Sequence, residues 1–278
     1  ALVQSDKSIA VYMEYGNGGL EVRAGARIVA EENVGIASNS NSILNMDGGY
    51  VYGKTTGISF KNTIYLNAGT IEYGDEEDSC GVSNRYGRDY FLLNIGKSVS
   101  ETAQEPLVIR PKGQGQTGKG IWINNGSAGN INIYDTAQIM AARIGILVEN
   151  YFTKLNLKMY GGKICNNKGG IAYLDPNGGS FEIYDGKIKD NIGLGGIISR
   201  SSLTIGKNGK GPVISGNKAN DEAVTDQLNL YSGYGGGISV TASNNDSAKL
   251  QILGGEISNN DAKVAGGGIY VNGKSTTI

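Results

Sequence analysis

The sequence predicts an all-β protein: a right-handed parallel β-helix (solenoid) of about ten coils of 22–26 residues, with loop insertions on one edge. Three observations predict it. A glycine followed by an apolar β-branched residue recurs along the chain, as Gly35-Ile36, Gly57-Ile58, Gly81-Val82, Gly120-Ile121, Gly145-Ile146, Gly170-Ile171, Gly196-Ile197, Gly237-Ile238 and Gly268-Ile269. Ahead of each lies an alternating apolar segment, most of them broken by a glycine bend, such as LKMYGGKI (157–164), FEIYDGKI (181–188) and LQILGGEI (250–257). Asparagine then marks the turn three positions on in four coils, at Asn167, Asn191, Asn217 and Asn260. Stacking such coils hydrogen-bonds every internal strand on both sides, and the crossover preference of parallel strands makes the hand right.

Composition agrees and removes several function classes. The chain has 278 residues with 45 glycines, 4 prolines and no histidine. Glycine is well above its usual share of about 7% but follows no G-x-y period, so collagen is excluded. Lys plus Arg is 25 and Asp plus Glu is 26, a net charge of −1. That balance gives no electrostatic reason for a nucleic-acid partner. No apolar run reaches the length of about 18 residues that spans a bilayer, so this segment is not expected to insert in a membrane. The opening residues ALVQSDKSIA carry neither a basic nor an apolar signal region. Without histidine, the commonest general base and metal ligand are missing, and any catalysis would fall to carboxylates, Lys, Arg, Tyr or a calcium ion.

Taken in order, Ser8-Ile9-Ala10-Val11 reads as the last strand of a coil, followed by LEVRAGARI (20–28), LNMDGGYV (44–51), IYLNAGTI (64–71) and INIYDTAQI (131–139). Period-two alternation puts Leu157, Met159 and Ile164 on one side, and Ile146, Ile171 and Ile197 in an apolar stack. The coil around Ile109 is a looser match, and LTIGKNGKGPVI (203–214) carries an insertion. Ser275–Ile278 begins another coil. One solenoid accounts for residues 1–278 as a single domain. Both ends interrupt the pattern, so the expectation is a segment excised from a longer protein, or one with capped ends.

The turn asparagines are expected in the left-handed backbone region that Asn tolerates, with their amides bonded from coil to coil. Tyr134, Tyr160 and Tyr184 form a second column, read as an aromatic stack at a corner, with a sugar platform as the alternative. Cys80 and Cys165 fall on one corner three coils apart, about 14 Å, beyond the roughly 7 Å that a disulfide spans. Two free thiols are expected.

Function is sought in the long corners, since insertions on one edge of a solenoid build binding faces. The longest is Ser215–Gly237, where Tyr231 and Tyr234 lie among Asp221, Glu222 and Asp226 in a composition suited to a sugar or a protein partner. Asp75, Glu76, Glu77 and Asp78 form an acidic run, read either as a solvated loop or as oxygen ligands for calcium. No other cofactor is expected. The basic loop RPKGQGQTGKG (110–120) has no phosphate-loop pattern and no helix after it.

The pattern GGKICNN…GGIAYL at 161–174 and GGEISNN…GGGIYV at 254–271 resembles the repeats of adhesin-like and autotransporter-passenger-like surface proteins of bacteria. The resemblance covers nearly all of the chain. It implies the right-handed parallel β-helix also used by pectate lyases, an extracellular or cell-surface location, and a host protein or glycan as partner. It says nothing of oligomeric state. The pectin hydrolases of that fold need a Gly-His-Gly segment that is absent here. The lyases use calcium carboxylates and an arginine, for which Arg143 and Arg200 with Glu149, Asp175 and Asp190 are the nearest matches. The resemblance therefore implies a non-catalytic adhesion segment first, and a calcium-assisted lyase acting on an acidic glycan as the alternative. No recurrent Thr column supports ice binding, and no trimerisation segment supports a tail-spike.

Overall fold

The computed structural model describes residues 1–14, 16, 18–39, 41–84, 90–98, 105–113, 115–124, 128–149, 154–175, 179–220, 233–241, 248–273 and 275–277. Within them the chain is all β-strand and turn, from Leu2–Ser5 to Ser275–Thr277. The strands form a 16-stranded, a 10-stranded and a 3-stranded sheet. All ladders between named strands are parallel, and each strand pairs with its counterpart one repeat on. Ile121 aligns with Ile146, then Ile171, Ile197, Ile238 and Ile269 in the second sheet.

A typical repeat gives two strands to the first sheet, Lys154–Met159 and Lys163–Cys165, and one to the second, Gly169–Tyr173. Alternation is why these segments form strands: Leu155, Leu157, Met159 and Ile164 are buried while Lys154 and Lys163 are exposed. Their inward residues join one core that runs from Val22 to Leu250. Each fully buried Ile or Leu contributes roughly 2–3 kcal/mol. This one-repeat offset of parallel strands around a shared core is compatible with a solenoid.

The glycine before each second-sheet isoleucine or valine from Gly35 to Gly237 is fixed by space. A Cβ at Gly145 would lie 2.7 Å from the Gly170 carbonyl oxygen and 2.8 Å from Ile164 Cγ2. The column therefore marks where successive repeats run close against each other at the start of the second-sheet strands.

The asparagine column is a hydrogen-bond ladder. Asn167 Nδ2 donates to Asn191 Oδ1 at 2.9 Å and to the Ile139 carbonyl at 3.4 Å. Asn191 and Asn217 repeat the set one and two turns on. The left-handed residue is not the ladder asparagine, as the sequence suggested, but the one before it: Asn166, Asp190, Gly216 and Asn259, with Ala141 in the preceding repeat. That residue turns the chain, which leaves the ladder side chain pointing along the stack.

Tyr134, Tyr160 and Tyr184 do stack. Ring centroids are 5.4 Å apart at both steps, close to the strand spacing of about 4.8 Å. Tyr134 lies flat against Tyr160, Tyr184 is tilted by 45° to Tyr160, and Lys207 Nζ sits 5.2 Å over the ring of Tyr184. The rings contact one another along the column, which favours the structural reading over a sugar platform.

Both cysteines are free and buried. Cys80 aligns with Lys119, Ile144 and Gly169 in turn, which places it three repeats from the strand that follows Cys165. Burial pushes the Cys165 thiol pKa up, against the opposing charges of Lys189 and Lys163.

Candidate functional site

The site is built where two lengthened turns lie beside each other at the exit from the first sheet. Strands Ile43–Gly53, Thr63–Tyr73 and Leu107–Pro111 align Tyr52 with Glu72 and Glu72 with Arg110 on one outward column. The chain then turns through Gly74–Ser79, and residues 112, 113 and 115–118 lie at the corresponding turn one repeat later. Asp75 Oδ1 accepts from the Gly113 N–H at 3.1 Å and ties the two turns together. A side chain at Gly113 would meet that carboxylate and displace it.

Between the turns lies an open groove of about 380 Å³, lined by Tyr52, Lys54, Gly74, Asp75, Glu76, Lys112 and Gly113. Tyr52 is only 6% exposed. Its hydroxyl has no hydrogen-bond partner among the described residues. Burial, then the carboxylates of Glu31, Asp75, Glu72 and Glu76, push its phenol pKa up, so it stays protonated and able to donate. Lys112 Nζ lies 4.0 Å from the centre of its ring. Glu72 is almost buried. It accepts from Tyr50 Oη at 2.7 Å and from Arg110 Nε at 2.9 Å, which makes it the fixed floor of the charged strip.

The acidic run is divided among separate partners. Lys54 pairs with Glu76 at 3.5 Å, Arg143 with Glu77, and Lys119 with Asp78 at 3.0 Å. Lys119 also donates to the Glu77 carbonyl at 2.9 Å and covers the Trp122 ring at 4.4 Å. Among the described residues, no three Cys, Asp or Glu side chains converge as metal ligands do.

Of the other residues singled out from sequence, Asp221, Glu222, Asp226 and Tyr231 lie outside the described residues. Tyr234 is described, and its ring packs on Tyr270 with centroids 4.7 Å apart. Arg143 is engaged by Glu77. Arg200 has a buried Nε with no partner. Asp175 is wholly buried where its repeat leaves the second sheet, whereas Asp190 sits in the left-handed turn before that sheet and pairs with Lys189 at 2.9 Å. These two carboxylates are thus at different corners and do not share a site.

Sequence reasoning did not single out Tyr52, Lys54, Lys112 or Glu31. A signal was present: Tyr50 and Tyr52 both lie in one strand, ahead of an acidic and then a basic insertion at the same point of later repeats. Comparison with protein-family models, with curated proteins and with solved structures gives no match.

Proposed function

We propose that the chain is a right-handed parallel β-helix serving as a non-catalytic rod in a secreted or surface-anchored bacterial protein, and that it binds glycan in adhesion through the loop edge. The observation that carries this reading is the groove around Tyr52. It pairs an aromatic ring and an unused phenol donor with charged groups that accept and donate hydrogen bonds, the mix that recognises a polyhydroxylated ligand. The repeat architecture supports the role: a stacked array is stiff along its length, while its corners take insertions without disturbing the core. The bacterial surface setting rests on the resemblance of the GG[KE]IxxN repeats.

The test is retention of the purified protein on immobilised neutral, acidic and amino-bearing polysaccharides, with and without calcium, alongside an assay for new chain ends. Retention that falls on Tyr52→Ala substitution is expected, with no cleavage. Cleavage of an acidic polymer would replace this reading with the lyase, and absence of retention on every polymer would end it.

A further inference from the structure

The groove holds an ammonium of its own. Lys112 Nζ stands 4.0 Å from the Tyr52 ring centre and 3.8 Å from Glu31 Oε2. Both contacts are of the weak kind, since the Lys112 and Glu31 side chains are 47% and 43% exposed. The main chain beneath is firm, because the Lys112 N–H donates to the Tyr73 carbonyl at 2.8 Å. The ammonium therefore leaves by rotation of a flexible stem, with no movement of the turn.

What stays behind when it leaves is acidic. Glu31, Asp75 and Glu76 remain, with Lys54 the one lysine lining the groove and Glu72 already matched by Arg110. The Tyr52 ring then offers a bare face beside Glu31, and its hydroxyl offers a hydrogen bond. An acidic sugar meets like charge here. A cation that also carries hydroxyl groups satisfies all of the features.

We infer that the groove binds an amino sugar, a glycan whose protonated primary amine takes the place of the Lys112 ammonium over Tyr52 and beside Glu31 while the Tyr52 hydroxyl donates to a neighbouring sugar oxygen. The inference rests on reading the groove as a glycan site and adds the class of glycan. Lys112 acts as a resident competitor, so its removal strengthens binding.

The experiment is calorimetric titration of the whole chain at a pH that keeps sugar amines protonated. The probes are glucosamine oligomers, their N-acetylated counterparts, a uronate oligomer of equal length and a tri-lysine peptide. The proteins are the wild type, Lys112→Ala, Glu31→Gln and Tyr52→Phe, each first checked for an unchanged thermal melt. Expected are binding of the glucosamine oligomer, about tenfold weaker binding of the N-acetylated one, several-fold tighter binding by Lys112→Ala and about tenfold weaker binding by Glu31→Gln. Equal or better binding of the N-acetylated or uronate oligomer, or a Lys112→Ala variant that binds no tighter, overturns the inference and leaves the glycan reading standing. Binding of tri-lysine above every sugar overturns it in favour of a basic protein partner. Failure of all the oligomers removes the glycan reading, and the inference falls with it.

Discussion

Asn191 gives Asn217 two hydrogen bonds at once: its side-chain Nδ2 donates to Asn217 Oδ1 at 2.9 Å and its backbone N–H to the same oxygen at 3.1 Å. Asn167 approaches Asn191 in the same way from the repeat before. Asn191 is wholly buried, so no water replaces what a substitution removes. Asn191→Ala strips partners from Asn167, Asn217 and the Ile164 carbonyl. The expected loss of unfolding free energy is about 3 kcal/mol, read from the urea midpoint. Asn132→Ala, which breaks one partly exposed amide pair with Asn94, should cost under about 1 kcal/mol. Equal midpoints for the two variants would show that the ladder does not stabilise the stack.

Gly145→Ala forces a methyl against Ile164 and the Gly170 carbonyl. Overpacking of this kind costs about 1–3 kcal/mol, and the melting temperature should fall accordingly. Gly115→Ala is the control, since the nearest atom to its new methyl is Thr117 Cγ2 at 3.5 Å. A melt of Gly145→Ala as high as the control's would mean the backbones are not packed as closely as described.

Glu182 connects two titrations. Burial raises its carboxyl pKa, but hydrogen bonds from Tyr184 and Lys158 outweigh that and hold it below the usual range. Tyr184 is pushed up to about 12 by burial and by its bond to Glu182. The signs follow from linkage. The depressed Glu182 contributes stability above its unfolded pKa of roughly 4.3, lost as pH falls through the folded value. The raised Tyr184 contributes stability that is complete below about 10 and lost as pH rises toward 12. In Glu182→Gln the acid-side loss should shrink, and Tyr184 should ionise nearer pH 10, followed by phenolate absorbance. An unchanged Tyr184 titration would disprove the link.

Cys80 and Cys165 should resist a thiol reagent in the native protein and react as two equivalents once it is unfolded. Fast native labelling of either would contradict their burial.

Much of the fold was legible because the period repeats one spatial constraint many times. Gly120, Gly145 and Gly170 share one environment, so one explanation serves them all. The left-handed turn position was missed because its occupants differ: Asn166, Asp190, Gly216 and Asn259 share a conformation but no single side chain. The groove was hidden for another reason. Its contacts join Glu31 to Lys112 and Asp75 to Gly113, residues from different repeats whose proximity depends on register and on the length of each turn. An acidic run and a basic run were each visible, but that they face one another was not.

The asparagine ladder has a sense as well as a position. Between the side chains of Asn167, Asn191 and Asn217 each Nδ2 donates to the Oδ1 of the later repeat, while the same Nδ2 also donates to a main-chain carbonyl of the earlier repeat, and Ala142 joins the row with only a backbone N–H to give. Bonds aligned this way polarise one another. They also make each rung, rather than the chain length between rungs, the unit that must be kept. Cutting the stretch from Asn167 to the residue before Asn191 brings Asn191 under Ala142 with donors and acceptors still matched, and the row already joins rungs 24, 26 and 43 residues apart, so the length between rungs varies while each rung stays in place. Chain length is therefore free to change in the turns between rungs, provided that each repeat returns one asparagine to the row.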